Sequence, residues 1–379
     1  MGTYLGGFPP RVPRLILDKW VGPRATVLDP FCGAGTTLVE GKITGRPTIG
    51  IDLNPLAVAF SMAKLQAVSL DDVQYRISEL ARAFPGISAL ADVPDDVRLI
   101  FHDRTLAQLC FLRAALDTKR PEDAFLRGAV LGILHGKHRQ DGSTAYLSID
   151  MPNTFSMSPN YVRQFVAEKG LVRPPVDVFG KLRERSQWLL RHGALNGAAP
   201  ATVIRGDATR MVDLLSRVNV GTVGAIVTSP PYLGVLRYGA FNWIRLWFLG
   251  YSPTQIDGLL DGTDSLDSYL SFMTSVLKSA EKVLRPDGVL VMVIGDVVEK
   301  DQHVRLAHRV WDEIGGLVPF ELMAIQRDAF DESSKTTRIW GEDKKGRATP
   351  VERYLVLRRT ARKAHPVHSS QSRKRSKRS

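Results

Sequence analysis

VLDPFCGAGTT, residues 27–37, runs from an apolar pair through Asp29 and Pro30 to two glycines one residue apart and then two threonines. The apolar residues before it, ATVLD (25–29), form a short buried strand, and TTLVEGKI (36–43) after it has the pattern of a helix. Gly33 and Gly35 let the backbone turn tightly and approach a ligand without Cβ interference. The loop delivers the chain to a helix N-terminus, whose free N–H groups and dipole favour an anionic group. Asp29, at the carboxyl end of the strand, can accept from an ammonium group or from ordered water. The third glycine of a dinucleotide fingerprint is missing, and no phosphate-loop lysine follows.

Strand and helix patterns alternate on both sides of this loop. RVPRLILDKW (11–20) has apolar residues at 12, 15, 16 and 20 and predicts a helix. PTIGID (47–52) predicts a second strand, and NPLAVAFSMAKLQ (54–66) a helix with Pro55 in its first turn. ATVIRGD (201–207) and GAIVTS (224–229) predict the third and fourth strands. Apolar spacing over 267–284 predicts a helix, RPDG (285–288) a turn, and VLVMVIGD (289–296) a fifth strand. VRLAHRVWDEI (304–314) is helical, and FELMAIQR (320–327) and ERYLVLRR (352–359) are closing strands. This alternation implies an α/β fold with a doubly wound, Rossmann-like parallel sheet. Asp52 and Asp207 end strands two and three as Asp29 ends strand one. Each alone reads as a helix cap or turn former; together they describe a pocket for a charged nucleoside, with an acid on the ribose hydroxyls.

Residues 68–200 interrupt the alternation. They hold helix-like pieces such as TLAQLCFLRAAL and DAFLRGAVLGILHG, but no apolar strand at the expected interval, and read as an inserted, mainly helical subdomain. The expected organisation is a catalytic domain split into 1–67 and 201–360, the insert 68–200, and a basic, disordered tail 361–379. Charge is unevenly placed. Segment 97–200 has 15 basic against 9 acidic residues, the tail has 7 basic and none acidic, and the rest is close to balanced. An excess confined to 97–200 and the tail suits a polyanionic partner. Two cysteines, Cys32 and Cys110, exclude a disulfide framework, and no apolar stretch reaches the ~20 residues of a membrane span. The expectation is a soluble, cytoplasmic protein with no membrane partner.

GAIVTSPPYLG (224–234) carries the second piece of chemistry: a buried strand stops in a serine, two rigid prolines and an aromatic ring. Alone, this is a Pro-Pro turn with Tyr232 in the core. Together with the glycine loop it resembles a known pair. DPFCGAGTT resembles the cofactor loop of S-adenosylmethionine-dependent DNA amino-methyltransferases, and TSPPY their catalytic motif in its cytosine-N4 form. GIDLNP (50–55) and RGDA (205–208) are similar to the intervening motifs, and GFPPRVPR (7–14) to the leading motif near the methionine end. The resemblance implies S-adenosyl-L-methionine as cofactor. Its contacts carry over to Phe8, Pro9, Asp29, Pro30, Phe31, Cys32, Gly33, Gly35, Thr36, Thr37, Asp52, Asn54, Asp207 and Ala208. It implies catalysis by Ser229, Pro230, Pro231 and Tyr232 on the N4 amine of a cytosine flipped out of double-stranded DNA. Ser229 and the Pro230 carbonyl would accept from the amino hydrogens, and Tyr232 would stack on the base. The setting implied is restriction–modification, with a paired restriction endonuclease as functional partner and no metal.

Two other readings stay open: an amino-methyltransferase for adenine N6 or RNA, and a DNA-binding protein of this fold without turnover. Relatives acting on adenine more often carry Asp or Asn where Ser229 stands. Many cytosine-N4 members also place the catalytic motif before the cofactor loop, and the insert precedes strand three, so the expectation is that base reading is divided between the insert and the loop 328–350. SMSPNY (156–161) imitates the catalytic motif without a preceding strand and reads as a turn. His135 and His138 have no partner at metal-ligand spacing and read as surface or packing residues. Neither cysteine follows a proline as the nucleophile of a cytosine-C5 enzyme does, which excludes that chemistry.

Overall fold

A computed structural model describes residues 1, 4, 7, 9–87, 92–151, 158–195, 197, 199–231, 233, 238–260, 265–299, 302–329 and 348–361. The first half of the catalytic region runs α1 (Arg11–Trp20), β1 (Val27–Asp29), α2 (Thr36–Ile43), β2 (Thr48–Asp52) and α3 (Pro55–Leu65). Helices α4 (Leu70–Ala83), α5 (Asp95–Ile100), α6 (Asp103–Ala115), α7 (Pro121–Ile133), α8 (Pro159–Lys169) and α9 (Val178–Leu189) fill the interruption. The chain returns to the sheet with β3 (Ala201–Arg205), α10 (Met211–Ser216) and β4 (Val223–Thr228), followed by α11 (Tyr238–Phe241), α12 (Trp243–Leu249) and α13 (Pro253–Leu260). It closes with α14 (Leu266–Val283), β5 (Leu284–Glu299), β6 (Gln302–Val304), α15 (Leu306–Ile314), β7 (Phe320–Ala329) and β8 (Ala348–Arg359).

The strand order is β3-β2-β1-β4-β5-β8-β7, with β6 pairing off the path with β5. The run from β3 to β5 is parallel, and β8 lies antiparallel to both β5 and β7. Each predicted strand is present, but the sheet is mixed rather than wholly parallel. One reversed strand, β8, enters between β5 and β7 and pairs antiparallel with both. The central strands are apolar throughout because both faces are covered. Leu28, Ile226 and Leu290 pack on one side with α14 and α15, and Val27, Ala225 and Val291 on the other with Val12, Ile16 and Leu17 of α1. Leu15 of the predicted apolar stripe instead faces solvent, and Leu17 takes its place inside.

RPDG does not end an element as a plain turn. Val223 pairs with Leu284 and Ala225 with Val289, so 285–288 bulge out of the ladder, with Asp287 at φ 59°. Among the described residues, 68–200 holds helices and no named strand, but the segment does not pack apart from the rest. Leu56 and Phe60 of α3 share one apolar core with Leu106, Leu109, Leu126 and Val130 of the insert and with Trp243 and Trp247 of α12. Arg245 lies within this core, donating through Nε to the Leu131 carbonyl at 3.1 Å and through Nη1 to Asn242 Oδ1 at 3.0 Å. Burial lowers its pKa to about 10. SMSPNY differs from the expected turn where it is described: Ser158 caps α8, its Oγ accepting from the Tyr161 N–H at 3.3 Å, and Pro159 opens the helix. His135 is buried, and His138 Nε2 lies 3.0 Å from the Ser148 carbonyl. The tail beyond 361 and the loop residues 330–347 lie outside the described residues. Among the described residues no helix is long and apolar enough to cross a membrane.

Candidate active site

The carboxyl ends of β2, β1 and β4 meet at one crevice, and the glycine loop forms its floor. Gly33 and Gly35 have φ of 50° and 79°, the left-handed region that the sequence pattern required. Gly35 caps α2, and its N–H donates back to the Cys32 carbonyl at 2.7 Å, closing the turn. A Cβ on Gly35 would come within 2.7 Å of Ser61 Oγ, the hydroxyl that donates to the Gly33 carbonyl at 2.8 Å. The loop is thus held against α3 by a contact only glycine permits. Cys32 is buried behind it and anchors its N–H on the Ile51 carbonyl at 3.0 Å.

Asp52 ties the loop to the second strand. Its Oδ2 accepts from the Gly33 N–H at 2.8 Å and its Oδ1 from the Asn54 N–H at 2.9 Å. Asn54 in turn caps α3, its Oδ1 accepting from the Leu56 N–H at 3.0 Å. Asp29 Oδ1 accepts from the Phe31 N–H at 3.1 Å and from Thr228 Oγ1 at 2.6 Å. That last bond joins the end of β1 to the residue immediately before Ser229. Burial pushes Asp29 up to about 6, against the pull of the Thr228 hydroxyl. Burial does the same to Asp52, also up to about 6, opposed by the amides of Asn54 and Gly33 and reinforced by the nearby charge of Asp29.

On the β4 side, Ser229 Oγ donates to the Val293 carbonyl of β5 at 3.2 Å, and Pro230 is buried beside it. With its proton committed to Val293, the hydroxyl keeps its lone pairs for a donor in the crevice. Asp207 sits at the end of β3, where its Oδ1 caps the following turn by accepting from the Thr209 N–H at 2.8 Å. Ala208 packs into the sheet core. Phe31 lies with its ring 5.8 Å from Phe272. Thr36 and Thr37 form the first turn of α2 behind the loop. Pro9 is exposed ahead of α1, its carbonyl accepting from the Val12 N–H at 2.9 Å. Pro30 is buried, and Pro231 follows Pro230 at the rim. Phe8 and Tyr232 lie outside the described residues.

Two aromatic residues that the sequence did not single out cover the crevice. Tyr4 stacks on Tyr238 with ring centroids 6.1 Å apart and planes at 24°, and Asn54 Nδ2 donates to its hydroxyl at 3.2 Å. A Cβ on Gly33 would lie 3.3 Å from the Tyr4 ring, so loop and ring are in direct apposition. Burial raises both phenols, Tyr238 to about 12, with the Asp52 charge adding to each.

The donor set fits a nucleoside that carries both a cation and hydroxyls. Two desolvated carboxylates, on neighbouring strands, have only neutral hydrogen-bond donors among the described residues, and each oxygen retains acceptor capacity. Among the described residues there is no cluster of three metal-ligating side chains.

The sequence model of the N6/N4 DNA methylase family matches residues 3–63 and 223–372, more than half of the chain. Type II methyltransferase M.MvaI of Kocuria varians is 35% identical over 250 residues, covering 62% of this chain and 53% of that protein. Type II methyltransferase M.BsoBI of Geobacillus stearothermophilus is 23% identical over 288 residues, covering 67% and 53%. M.Cfr9I of Citrobacter freundii is 34% identical over 102 residues, 27% of each chain. The chain spans about half the length of M.MvaI and of M.BsoBI. With both halves of the crevice inside the matched segments, the chain belongs to the N6/N4 DNA methylase family, whose cofactor is S-adenosyl-L-methionine.

Proposed function

We propose that the protein is a site-specific DNA methyltransferase that modifies the exocyclic N4 amine of cytosine in double-stranded DNA. The observation that carries this reading is the 2.6 Å bond from Thr228 Oγ1 to Asp29. It fixes the cofactor loop and the TSPP turn to the same end of two adjacent parallel strands, about 4.8 Å apart. When bound, S-adenosyl-L-methionine supplies an electrophilic methyl group on a sulfonium. Asp29 would receive its ammonium group and Asp52 the ribose hydroxyls, over the floor of Gly33 and Gly35.

The remaining chemistry belongs to the β4 turn. An exocyclic amine is a poor nucleophile because its lone pair is delocalised into the ring. Ser229 Oγ and the Pro230 carbonyl, accepting from the two amino hydrogens, draw the nitrogen toward a tetrahedral geometry with its lone pair aimed at the methyl carbon. Ser229 Oγ donates to the Val293 carbonyl, so its lone pairs are left to accept from the amine; on transfer the bonding pair of the sulfonium would stay on sulfur and the nitrogen's surplus proton would pass to solvent. Pro230 and Pro231 keep these acceptors stiff, which matters because in-line displacement tolerates little misplacement. Tyr232 is assigned to stacking on the flipped base. The serine at this position favours cytosine N4 over adenine N6. The Type II relatives favour a restriction–modification setting with a paired endonuclease, and the insert 68–200, with 15 basic against 9 acidic residues in its part 97–200, is the candidate for reading the target.

The test is to incubate genomic DNA from cells lacking the gene with labelled cofactor, digest it to nucleosides and separate them. Label in N4-methylcytidine is the expected result. Label only in N6-methyladenosine would overturn the cytosine assignment while keeping the fold and cofactor. A second expectation concerns pH. Asp29 and Asp52 have ordinary values near 3.8 raised to about 6 in this crevice. A raised carboxylate is ionised above that value and protonated below it, so a cationic ligand should bind with constant affinity above about pH 7. As pH falls through 6 the affinity should weaken by up to about tenfold per pH unit for each proton that must leave. Calorimetry from pH 8 to pH 5 showing a flat affinity would remove these carboxylates from the cofactor site.

A further inference from the structure

Beyond the crevice, on the outer side of α3, lies a cavity of about 120 Å³ whose lining includes Pro55, Met62, Thr118, Arg127, Arg205 and Tyr251. Two guanidinium groups converge on it. Arg205, the last residue of β3, donates through Nη1 to the Tyr251 hydroxyl at 2.9 Å and through Nε to the Leu53 carbonyl at 3.4 Å. Its guanidinium lies 4.5 Å from the centre of the Tyr251 ring. Arg127, on α7, donates through Nη2 to the Leu116 carbonyl at 3.3 Å. The neighbouring acids are engaged elsewhere: Asp123 is held by both Nε and Nη2 of Arg76, at 2.7 and 2.9 Å, and Asp117 accepts from the Lys119 N–H at 3.0 Å.

Both arginines line this small concave space, and among the described residues their hydrogen bonds go to carbonyls and a phenol, leaving several N–H donors available. Burial presses Arg127 below its ordinary value, against the pull of Tyr251, Asp117 and Asp123. Planar guanidinium forks match the oxygens of a phosphate bidentately. Thr118, at the edge of the cavity, adds a hydroxyl. Arg205 also holds the carbonyl of Leu53, the residue after Asp52, so the cavity borders the crevice through the same strand-to-helix turn.

We propose that Arg127 and Arg205 form a subsite for one backbone phosphodiester of the DNA, placed beside the cofactor turn rather than in the crevice. This rests on the DNA-methylation reading. Such a contact would position the duplex without reading its sequence.

The experiment measures binding of a mixed-sequence duplex by fluorescence anisotropy over a series of KCl concentrations. It compares wild type, R127Q, R205Q, the double variant and R205K, each checked for wild-type circular dichroism and Tm. Losing one phosphate contact should lower the slope of log K against log salt by about 0.9 in the double variant, equally for duplexes of different sequence. R205K, which keeps the charge, should retain most of the slope. R127Q needs no buried charge to fold, so it carries the test if R205Q is destabilised by loss of its Tyr251 bond. An unchanged slope in folded R127Q and in the double variant overturns the subsite while the methylation reading stands. If inorganic phosphate raises the Tm in an Arg127-dependent way with the DNA slope unchanged, the site takes a free anion and the DNA assignment is overturned. If wild type binds no duplex at any salt concentration, the methylation reading falls and the subsite with it.

Discussion

Replacing Ser229 by alanine is expected to lower turnover by about 10²–10³-fold, the scale of removing one preorganised polar contact from a transition state. Cofactor affinity should stay at the wild-type value. The separation follows from where the hydroxyl sits. Ser229 Oγ is bonded to Val293 of β5, not to the glycine loop, while the bond to Asp29 comes from Thr228. Its acceptor function matters as the amine becomes tetrahedral, so its loss should appear in kcat more than in KM. Single-turnover kinetics with labelled cofactor, alongside calorimetry, reads both. Wild-type turnover in Ser229→Ala would take the TSPP turn out of the chemistry. A parallel loss of cofactor binding would show that the serine instead supports the cofactor pocket.

Changing Asp52 should act on the other ligand. A hydrogen bond to a charged group contributes about 1.5–3 kcal/mol, so Asp52→Ala should weaken cofactor binding by one to two orders of magnitude. The same carboxylate also receives the Gly33 and Asn54 amides, so the alanine variant loosens the loop as well as removing an acceptor. Asp52→Asn separates the two effects. It keeps one oxygen for an amide but turns an NH₂ toward the other, so the loop should loosen less while the acceptor for the ribose is lost or neutralised. Both variants should bind poorly by calorimetry, with the alanine variant also lower in Tm. Wild-type affinity in either would move the cofactor pocket elsewhere.

The parts of this architecture that local chemistry determines could be read from the sequence. β1, β2 and β4 are short, mostly apolar runs that end in a polar residue, and the positive φ of Gly33 and Gly35 follows from a turn that side chains would obstruct. Residues 238–260 gave no such signal. WIRLWFLG is buried on nearly every side, so α12 shows no amphipathic period, and its place is set by packing against an insert more than a hundred residues earlier. The aromatic cover was equally hidden. Tyr4 and Tyr238 meet only through the finished fold, and nothing in the residues around either one announces a partner. The mixed character of the sheet was beyond reach for a related reason: apolar runs mark strands, whereas direction depends on what joins β7 to β8.

The strand order has a consequence for how the protein is made. β1 is paired on one side by β2, only 19 residues further on at its start, but on the other by β4, which begins at Val223. A ribosome adding about 5–20 residues per second needs roughly 10–40 s to travel from Asp29 to that strand. Throughout that interval the central strand of the future sheet presents a row of unpaired amides and carbonyls flanked by Val27 and Leu28, a template for pairing with any neighbouring chain. The helices of 68–200 emerge in the same interval, and in the finished fold they pack on Leu56 and Phe60 of α3, so the expectation is that they give the nascent chain a partial core while the open edge waits for its partner. Placing the insert before β3 rather than after β4 thus lengthens the most vulnerable period of synthesis, and also supplies the structure that accompanies the chain through it.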